Sequence, residues 1–377
     1  MTLLFWLSAL VIFYIYIGYP LLLRYLPKKP LSMTSLTTLP KVTVLIPAFN
    51  ESKVIEGTIQ NKFAQDYPPE LIEVIVISDE SEDGTDEIVT NLAITEERLK
   101  LIRQVPRQGK TAGLNLAMQQ AQGEIIIFSD ANSHYDTHAI KELVNCFSDP
   151  QVGYVTGKMV YVNSDGSLIG DGCSAYMKYE NYMRALETQV DSVVGVDGGV
   201  DAIRKELYQP MNADQLPDFV LPLKVVTQGK RVIYCESALL NEESLSNSQS
   251  EFRMRVRVSL RAYWAMKDMK HLFNPFNFGL FSLQLISHKL LRYLAFIPLL
   301  LAFVSNGFLT YNSFYSLTFL IQIIFYAGAA FVSLNDGTNN RWLGLANYFC
   351  LINIASAMAF LKFIKGEKIV LWKPRVG

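Results

Sequence analysis

Asp130 and Asn132 stand one residue apart, directly after the uncharged run Ile125–Phe128 in GEIIIFSDANSHYD, residues 123–136. A buried parallel strand ends in this way where its carboxyl edge opens to a ligand, and that edge is where open α/β sheets bind nucleotides. Side chains so spaced point the same way past the strand and can hold a divalent cation against a diphosphate. The same two residues also suit a turn that merely stops a strand. Glu51 and Asp79 follow two other apolar runs in the same manner, so three acids are expected on one rim of one sheet. Lys110 opens a helix, where a cation opposes the dipole. Two roles fit that placement, a partner for an anion such as a nucleotide diphosphate and a solvated surface lysine.

The run VVGVDGG, residues 193–199, offers Gly198 and Gly199 for backbone passing close to a ligand, or for a tight turn. Asp218, after Pro217, is placed to N-cap a helix, a structural role that does not exclude reactivity. A basic amphipathic helix is expected over residues 251–270, with Arg253, Arg255, Arg257, Arg261, Lys267 and Lys270 set among Phe252, Val256, Leu260, Tyr263 and Trp264. It suits attraction to anionic lipid headgroups and equally a clamp on a departing diphosphate.

The elements that must position these residues are legible as alternating strands and helices. Val42–Ile46, Leu71–Ile77, Leu99–Gln104 and Ile125–Phe128 are expected strands of a parallel sheet. Helices are expected at Lys53–Gln65 and at Thr111–Gln122, the second closed by Gly123. Strand, helix, strand with polar residues at each carboxyl edge makes a right-handed crossover. Further on, Val152–Val162 reads as extended, Asp171–Gln189 as helical, Pro217 to Gln228 as a helix stopped by Gly229, and Arg231–Cys235 as a late strand.

Half of the 377 residues are apolar and the net charge is -1, which argues against nucleic acid as a partner. Charge is missing from Leu3–Leu23, Tyr293–Leu334 and Trp342–Leu361, and about twenty apolar residues cross a bilayer. The first stretch has no basic residue before it and no small-residue cleavage pattern after it, so it reads as a membrane helix rather than a cleaved signal. Arg24, Lys28 and Lys29 then place the following chain in the cytosol. The scattered Cys146, Cys173, Cys235 and Cys350 suit a reducing compartment. The expected organisation is a membrane helix at 1–26, a Pro/Ser/Thr-rich linker at 27–40, a cytosolic domain at 41–270, an interfacial helix at 271–292, membrane helices at 293–364 and a basic tail at 365–377. Two crossings within 293–334, joined near 305–312, and a third at 342–361 would put Lys365, Lys368, Lys373 and Arg375 outside, against the positive-inside rule. Either one segment is re-entrant or the tail breaks the rule.

Taken together, VLIPAFNE, VISDESEDGT, GKTAGLN, FSDAN, GVDGG, PDF and FRMRV appear in an order and spacing that resembles the membrane-embedded family 2 glycosyltransferases, the class of cellulose, hyaluronan and poly-N-acetylglucosamine synthases and bacterial exopolysaccharide transferases. The resemblance covers almost the whole chain. It implies an α/β glycosyltransferase-A (Rossmann-like) domain with flanking transmembrane and interfacial helices, a nucleotide-sugar donor, usually a UDP-sugar, and a Mg or Mn ion. Carried over by position, Pro47, Phe49 and Glu51 would border the base and ribose, Asp79 the uridine, and Lys110 the phosphates. Asp130, with Asn132, would hold the metal-diphosphate end, and Gly198 and Gly199 would lie on the acceptor side. Asp218 corresponds to the general base, and Arg253 and Arg255 to the basic part of the QxxRW motif beneath the diphosphate.

Three departures qualify that pattern. Asn132 replaces the second acid of DxD, Pro217 replaces an acid before the base, and Phe252 and Val256 replace the Gln and Trp of QxxRW. The expectation is an inverting transferase of a bacterial-type inner membrane, acting from the cytosol on a lipid-linked or polysaccharide acceptor in exopolysaccharide assembly. The alternatives are a processive synthase that also exports its polymer, and an inactive nucleotide-sugar-binding scaffold.

Overall fold

The structure is a computed structural model that describes residues 1–34, 36–162, 172–243, 248–334 and 340–369. Asp171, Lys373 and Arg375 lie outside the described residues. By its contacts the chain forms two compact units, one of Met1–Pro27, Ile169–Leu186 and Leu245–Glu367, the other of Lys28–Leu168, Glu187–Ser244 and Lys368–Gly377. The expected 41–270 domain is therefore not one contiguous piece. The helix Ser248–Asp268 buries Val256, Leu260 and Tyr263, and the Tyr263 hydroxyl donates to the Tyr293 carbonyl at 2.7 Å. These contacts attach it to the unit rich in long apolar helices.

The second unit is built on an eight-stranded sheet: β1 (Val42–Ala48), β2 (Ile72–Ser78), β3 (Leu99–Arg103), β4 (Ile125–Phe128), β5 (His134–Tyr135), β6 (Val152–Val162), β7 (Asp201–Arg204) and β8 (Arg231–Glu243), in the order β3-β2-β1-β4-β7-β6-β8-β5. The first four pair in parallel, with Val44 opposite both Val74 and Ile127. Every residue of β1, β2 and β4 is buried, which suits their mostly apolar sequences; the polar exceptions meet, Thr43 Oγ1 donating to Glu73 Oε2 at 2.7 Å. The sheet is mixed rather than wholly parallel, because β7 runs antiparallel to both β4 and β6. β8 continues well beyond Cys235. An irregularity opposite Thr156–Lys158 interrupts its pairing with β6 before the two resume at Leu239.

Gly123 does not close a helix. The helix Lys110–Met118 ends earlier, and Gly123 packs on β1, its N–H donating to Thr43 Oγ1 at 2.8 Å. A Cβ there would lie 2.4 Å from the Thr43 nitrogen. The expected linker is fastened along the sheet unit, with Lys29 N–H donating to the Gln189 carbonyl at 2.7 Å and Ser32 N–H to Asp149 Oδ2 at 2.9 Å.

In the other unit, Thr2–Tyr25, Ser313–Leu334 and Arg341–Ile364 are long and apolar enough to cross a membrane. The remaining apolar stretch is a bent pair, Pro275–Tyr293 and Phe296–Gly307, with 56° between the arms. The second arm has 12 residues, which at about 1.5 Å each gives roughly 18 Å, short of the ~30 Å hydrocarbon core. By itself it is too short for the independent crossing expected from composition; with the first arm it makes a broken span or a re-entrant loop.

Candidate active site

The rim of β1, β2 and β4 is shaped by what the helix Ile55–Phe63 grips. Thr58 Oγ1 donates to the Ala131 carbonyl at 2.6 Å, and Lys62 Nζ to the Ser133 carbonyl at 2.5 Å. Asn61 closes a two-way pair with the Tyr135 backbone at 2.9 and 2.8 Å. Lys62 is fully buried, and loss of solvation pulls its pKa well down. Its ammonium lies 3.6 Å from the Tyr135 ring centroid. The turn carrying Asp130 and Asn132 is thus clamped from one side by three residues of one helix.

Lys110 joins the two acids that matter most. Its ammonium lies 2.8 Å from Asp130 Oδ1 and 3.6 Å from Asp218 Oδ1. Burial works against its charge, but Asp130 and Asp218 outweigh burial and hold its pKa above the usual lysine value. Asp218 lies within the first turn of the helix Pro217–Thr227. The N-cap is Leu216, which makes no side-chain cap. Asp218 is therefore not the expected N-cap. Two ties fix this helix entry against the helix that begins at Lys110: Thr111 Oγ1 donates to the Gln215 carbonyl at 2.8 Å, and Asn115 Nδ2 to the Met211 carbonyl at 2.7 Å.

The glycine-rich turn lies directly against Asp218. Gly198 has φ +88°, and a Cβ on it would come 2.4 Å from Asp218 Cγ, so glycine is required by space and by backbone. Its N–H donates to Asp201 Oδ2 at 3.1 Å, and the Tyr154 hydroxyl donates to the same oxygen at 2.9 Å. Gly199 is buried and its carbonyl accepts from the Tyr135 hydroxyl at 2.9 Å. Burial raises the Asp201 pKa to about 7, helped by the negative charge of Asp218, while hydrogen bonds from Thr156 and Tyr154 act the other way.

That shift has a measurable sign. An unfolded Asp ionises near pH ~3.9, so between there and about 7 the folded chain keeps a proton that the unfolded chain has lost. Stability is fully present below that window and falls as pH rises through it, by up to about 1.4 kcal/mol per pH unit. Thermal midpoints of the full chain in detergent are expected to drop from about pH 5 to about pH 8, and Asp201→Asn to flatten that slope. An unchanged slope in the variant overturns the assignment.

Asp79 is 2% exposed, and its carboxylate accepts from the chain itself. The donors are Gln104 Nε2 at 2.5 Å, Gln108 N at 2.9 Å, Gly109 N at 3.1 Å and Arg107 Nε at 3.0 Å. It thereby organises the loop that delivers Lys110. The Arg107 guanidinium carbon lies 3.4 Å from the Phe49 ring centroid, a cation and a flat apolar face on one wall. Glu51 donates its backbone N–H to Thr85 Oγ1 at 2.9 Å, and Pro47 is buried in β1 opposite Ile77. Arg253 and Arg255 belong to the other unit. Arg253 is exposed, and Arg255 donates to Glu251 Oε1 at 2.8 Å and to the Tyr348 hydroxyl at 2.6 Å.

Arg107, Asp201, Tyr154 and Lys62 stand outside the set expected from the sequence. Arg107 had a signal, since it stands in RQGK just before Lys110; Lys62 and Tyr154 had none. Among the described residues no group of three or more His, Cys, Asp or Glu could enclose a metal ion. Asp130 keeps a third of its side chain exposed while paired with Lys110, and Asn132 is half-buried on the same turn.

Residues 43–208 match the family model described as glycosyl transferase family 2. A mannosyltransferase from Pyrobaculum calidifontis, solved with GDP-Man and Mn2+, shares the fold of this chain at a TM-score of 0.74 and 22% identity, over 97% of this chain and 99% of that one. A beta-monoglucosyldiacylglycerol synthase from Trichormus variabilis is 28% identical over 45% of this chain and 36% of its own length. A GalNAc(5)-diNAcBac-PP-undecaprenol beta-1,3-glucosyltransferase from Campylobacter jejuni is 32% identical over 28% of this chain and 34% of its own. The chain spans between 32% and 47% of the length of the first curated relatives. The matched family 2 segment holds Asp79, Lys110, Asp130, Gly198 and Asp201; Asp218 lies beyond it.

Proposed function

We propose that the chain transfers a sugar from a nucleoside-diphosphate donor to a lipid-linked acceptor held at a membrane, with inversion at the sugar. The observation that carries this reading is the Asp130–Lys110–Asp218 cluster at the carboxyl ends of parallel strands. An acceptor hydroxyl is a poor nucleophile, and Asp218 is the carboxylate placed to take its proton as the new bond forms. A single carboxylate in that role matches direct displacement, hence inversion. Lys110 stays cationic and meets the charge that gathers on the departing diphosphate. Asp130 and Asn132 would hold a Mg or Mn ion at the diphosphate, which supplies further neutralisation of the leaving group when bound. Arg107 and the Phe49 ring offer the donor's base a flat face with a cation beside it.

Acceptor class and membrane side rest on other observations. Both relatives named above carry a lipid in their names, one a diacylglycerol and one an undecaprenol diphosphate. Asp214 pairs with Lys368, and both belong to the sheet unit. That pairing supports an even number of crossings between them, Ser313–Leu334 out and Arg341–Ile364 back, with the bent pair re-entrant. The basic tail then lies with the sheet in the cytosol, as the positive-inside rule asks. A fluorescent protein fused after residue 377 is expected to fluoresce, and alkaline phosphatase fused there to stay inactive; active phosphatase overturns this topology.

The deciding experiment is a panel of UDP- and GDP-sugars offered to membranes holding the full chain, with diphosphate release and labelled lipid as readouts. Sugar appearing in the lipid fraction from one donor is the expected result. Tight donor binding with no turnover on any acceptor would instead favour a nucleotide-sugar-binding scaffold, and a ladder of long polymer a processive synthase.

A further inference from the structure

Two buried thiols in the sheet unit take no part in the chemistry above. Cys146 stands at the C-cap of the helix Ala139–Asn145, and Cys235 lies on β8. Both face the carbonyl of Glu142, Cys146 Sγ at 3.4 Å and Cys235 Sγ at 3.7 Å, and the Cys146 thiol hydrogen-bonds the Cys235 sulfur. Cys235 Sγ also lies 3.4 Å from Ser237 Oγ, whose hydroxyl donates to Glu142 Oε2 at 2.6 Å. Buried cysteines set apart serve as small apolar fillers. A facing pair is within reach of a covalent bond.

The surroundings favour reaction over packing. The hydrogen bond from Cys146 pulls the Cys235 pKa below the ordinary thiol value, against burial and the Glu142 charge, which raises the share of nucleophilic thiolate. Cys235 sits beside solvent, since Glu236 and Ser237 are exposed. It also opens the stretch where β8 leaves its register with β6: pairing stops at Thr156 opposite Tyr234 and resumes at Lys158 opposite Leu239. Gly157 is wedged against that stretch. A Cβ on it would lie 2.5 Å from the Ala238 carbonyl oxygen and 2.9 Å from Val200 Cγ2, and its N–H donates to the Val200 carbonyl at 2.7 Å. Val200 continues the turn in which Gly198 packs on Asp218. Displacing residues 235–238 therefore reaches the wall of Asp218 through a residue with no slack.

We propose that Cys146 and Cys235 form a reversible redox site, oxidised to a disulfide by peroxide and reduced again by dithiols, and that the bond slows sugar transfer by shifting the Gly198 turn. The slowing rests on the transferase reading above; the bond does not. The Cys235 thiolate attacks one peroxide oxygen, the O–O bond breaks, and the other oxygen leaves as hydroxide and takes the proton Cys235 shed. Cys235 is then a sulfenic acid. The Cys146 sulfur attacks the Cys235 sulfur, the S–O bond breaks, and the departing hydroxide takes the Cys146 proton. Two electrons pass from the thiols to the peroxide, which ends as water. A dithiol reverses the bond by exchange and is itself oxidised to a disulfide.

The test treats the purified full chain in detergent with hydrogen peroxide and maps its cysteines by mass spectrometry, with Cys350 as internal control and nucleotide-sugar affinity as a folding check. A Cys146–Cys235 cross-link is expected before Cys350 is modified, and dithiothreitol is expected to remove it. In Cys146→Ser, dimedone is expected to trap a sulfenic acid at Cys235, whereas in Cys235→Ser the same exposure leaves Cys146 unmodified. Cross-linking is expected to lower transfer by about five-fold or more, reversibly, and peroxide to leave both variants' transfer unchanged. Further oxidation of Cys235 without a cross-link, or oxidation of Cys350 ahead of the pair, overturns the site. A cross-link that leaves transfer unchanged overturns the coupling to the turn. A cross-link in a chain that turns over no donor sinks the transferase reading and leaves the thiol pair standing. Transfer that continues under peroxide with both thiols still free does the reverse.

Discussion

Asp218→Asn lowers sugar transfer by about 10²–10⁴-fold and leaves donor affinity unchanged or slightly tighter. On the proposed mechanism, the loss follows from removing the group that would accept the acceptor's proton; the amide keeps the shape and cannot take the proton. The second half of the expectation comes from Lys110. Its ammonium lies 3.6 Å from Asp218, and a charge pair near 4 Å is worth between about 1 kcal/mol at water-like screening and about 4 kcal/mol at protein-like screening. Removing the Asp218 charge frees Lys110 for the diphosphate, which is why affinity should not fall.

Rates of transfer and a donor dissociation constant on the same preparation check both halves. Turnover within a few-fold of the unmodified chain would refute the role of Asp218. Asp214 is the poorer candidate for base, since it pairs with Lys368. A combined collapse of turnover and donor affinity would instead place Asp218 among the donor's own contacts.

What could be read beforehand followed the scale of the signal. β1, β2 and β4 declared themselves because burial on both faces leaves nearly continuous apolar runs, broken only by Thr43 and Glu73 before the strand ends, and the acids after them marked the carboxyl rim. Asp218 and Gly198 were legible as residue types, but their contact, with no room for a Cβ between them, is tertiary and has no local pattern. The same holds for Lys62: a lysine on an amphipathic helix reads as solvated until the turn it grips is in view. β7 shows only four residues of pattern, too few to announce a reversal of strand direction. The helix Ser248–Asp268 was read as a helix, yet the unit it joins depends on which surface covers Leu260 and Tyr263, and periodicity along one helix carries no record of its partner.

Asp79→Ala is expected to destabilise the sheet unit by about 3–5 kcal/mol and to weaken donor binding with it. A side chain that is 2% exposed and accepts from two backbone N–H groups, an amide and a guanidinium takes its acceptor from all four when it is cut back, though Gln104 Nε2 keeps the Gly109 carbonyl at 3.4 Å. The backbone donors cost about 1–3 kcal/mol each if they find no water, and Arg107 loses the carboxylate 3.0 Å from its Nε. Arg107→Leu tests which part dominates. If the loss at Arg107 is the larger cost, the double variant Asp79→Ala/Arg107→Leu recovers part of the loss, and the cycle shows coupling of about 1–3 kcal/mol. If the loop's backbone donors dominate, the double variant is no better than Asp79→Ala alone. Either result leaves Asp79 acting through the loop that presents Lys110, a positioning role that predicts weakened donor affinity at unchanged chemistry per bound donor. Full stability and full donor affinity in Asp79→Ala would remove that role, because no network of four donors can lose its acceptor in a buried place without cost.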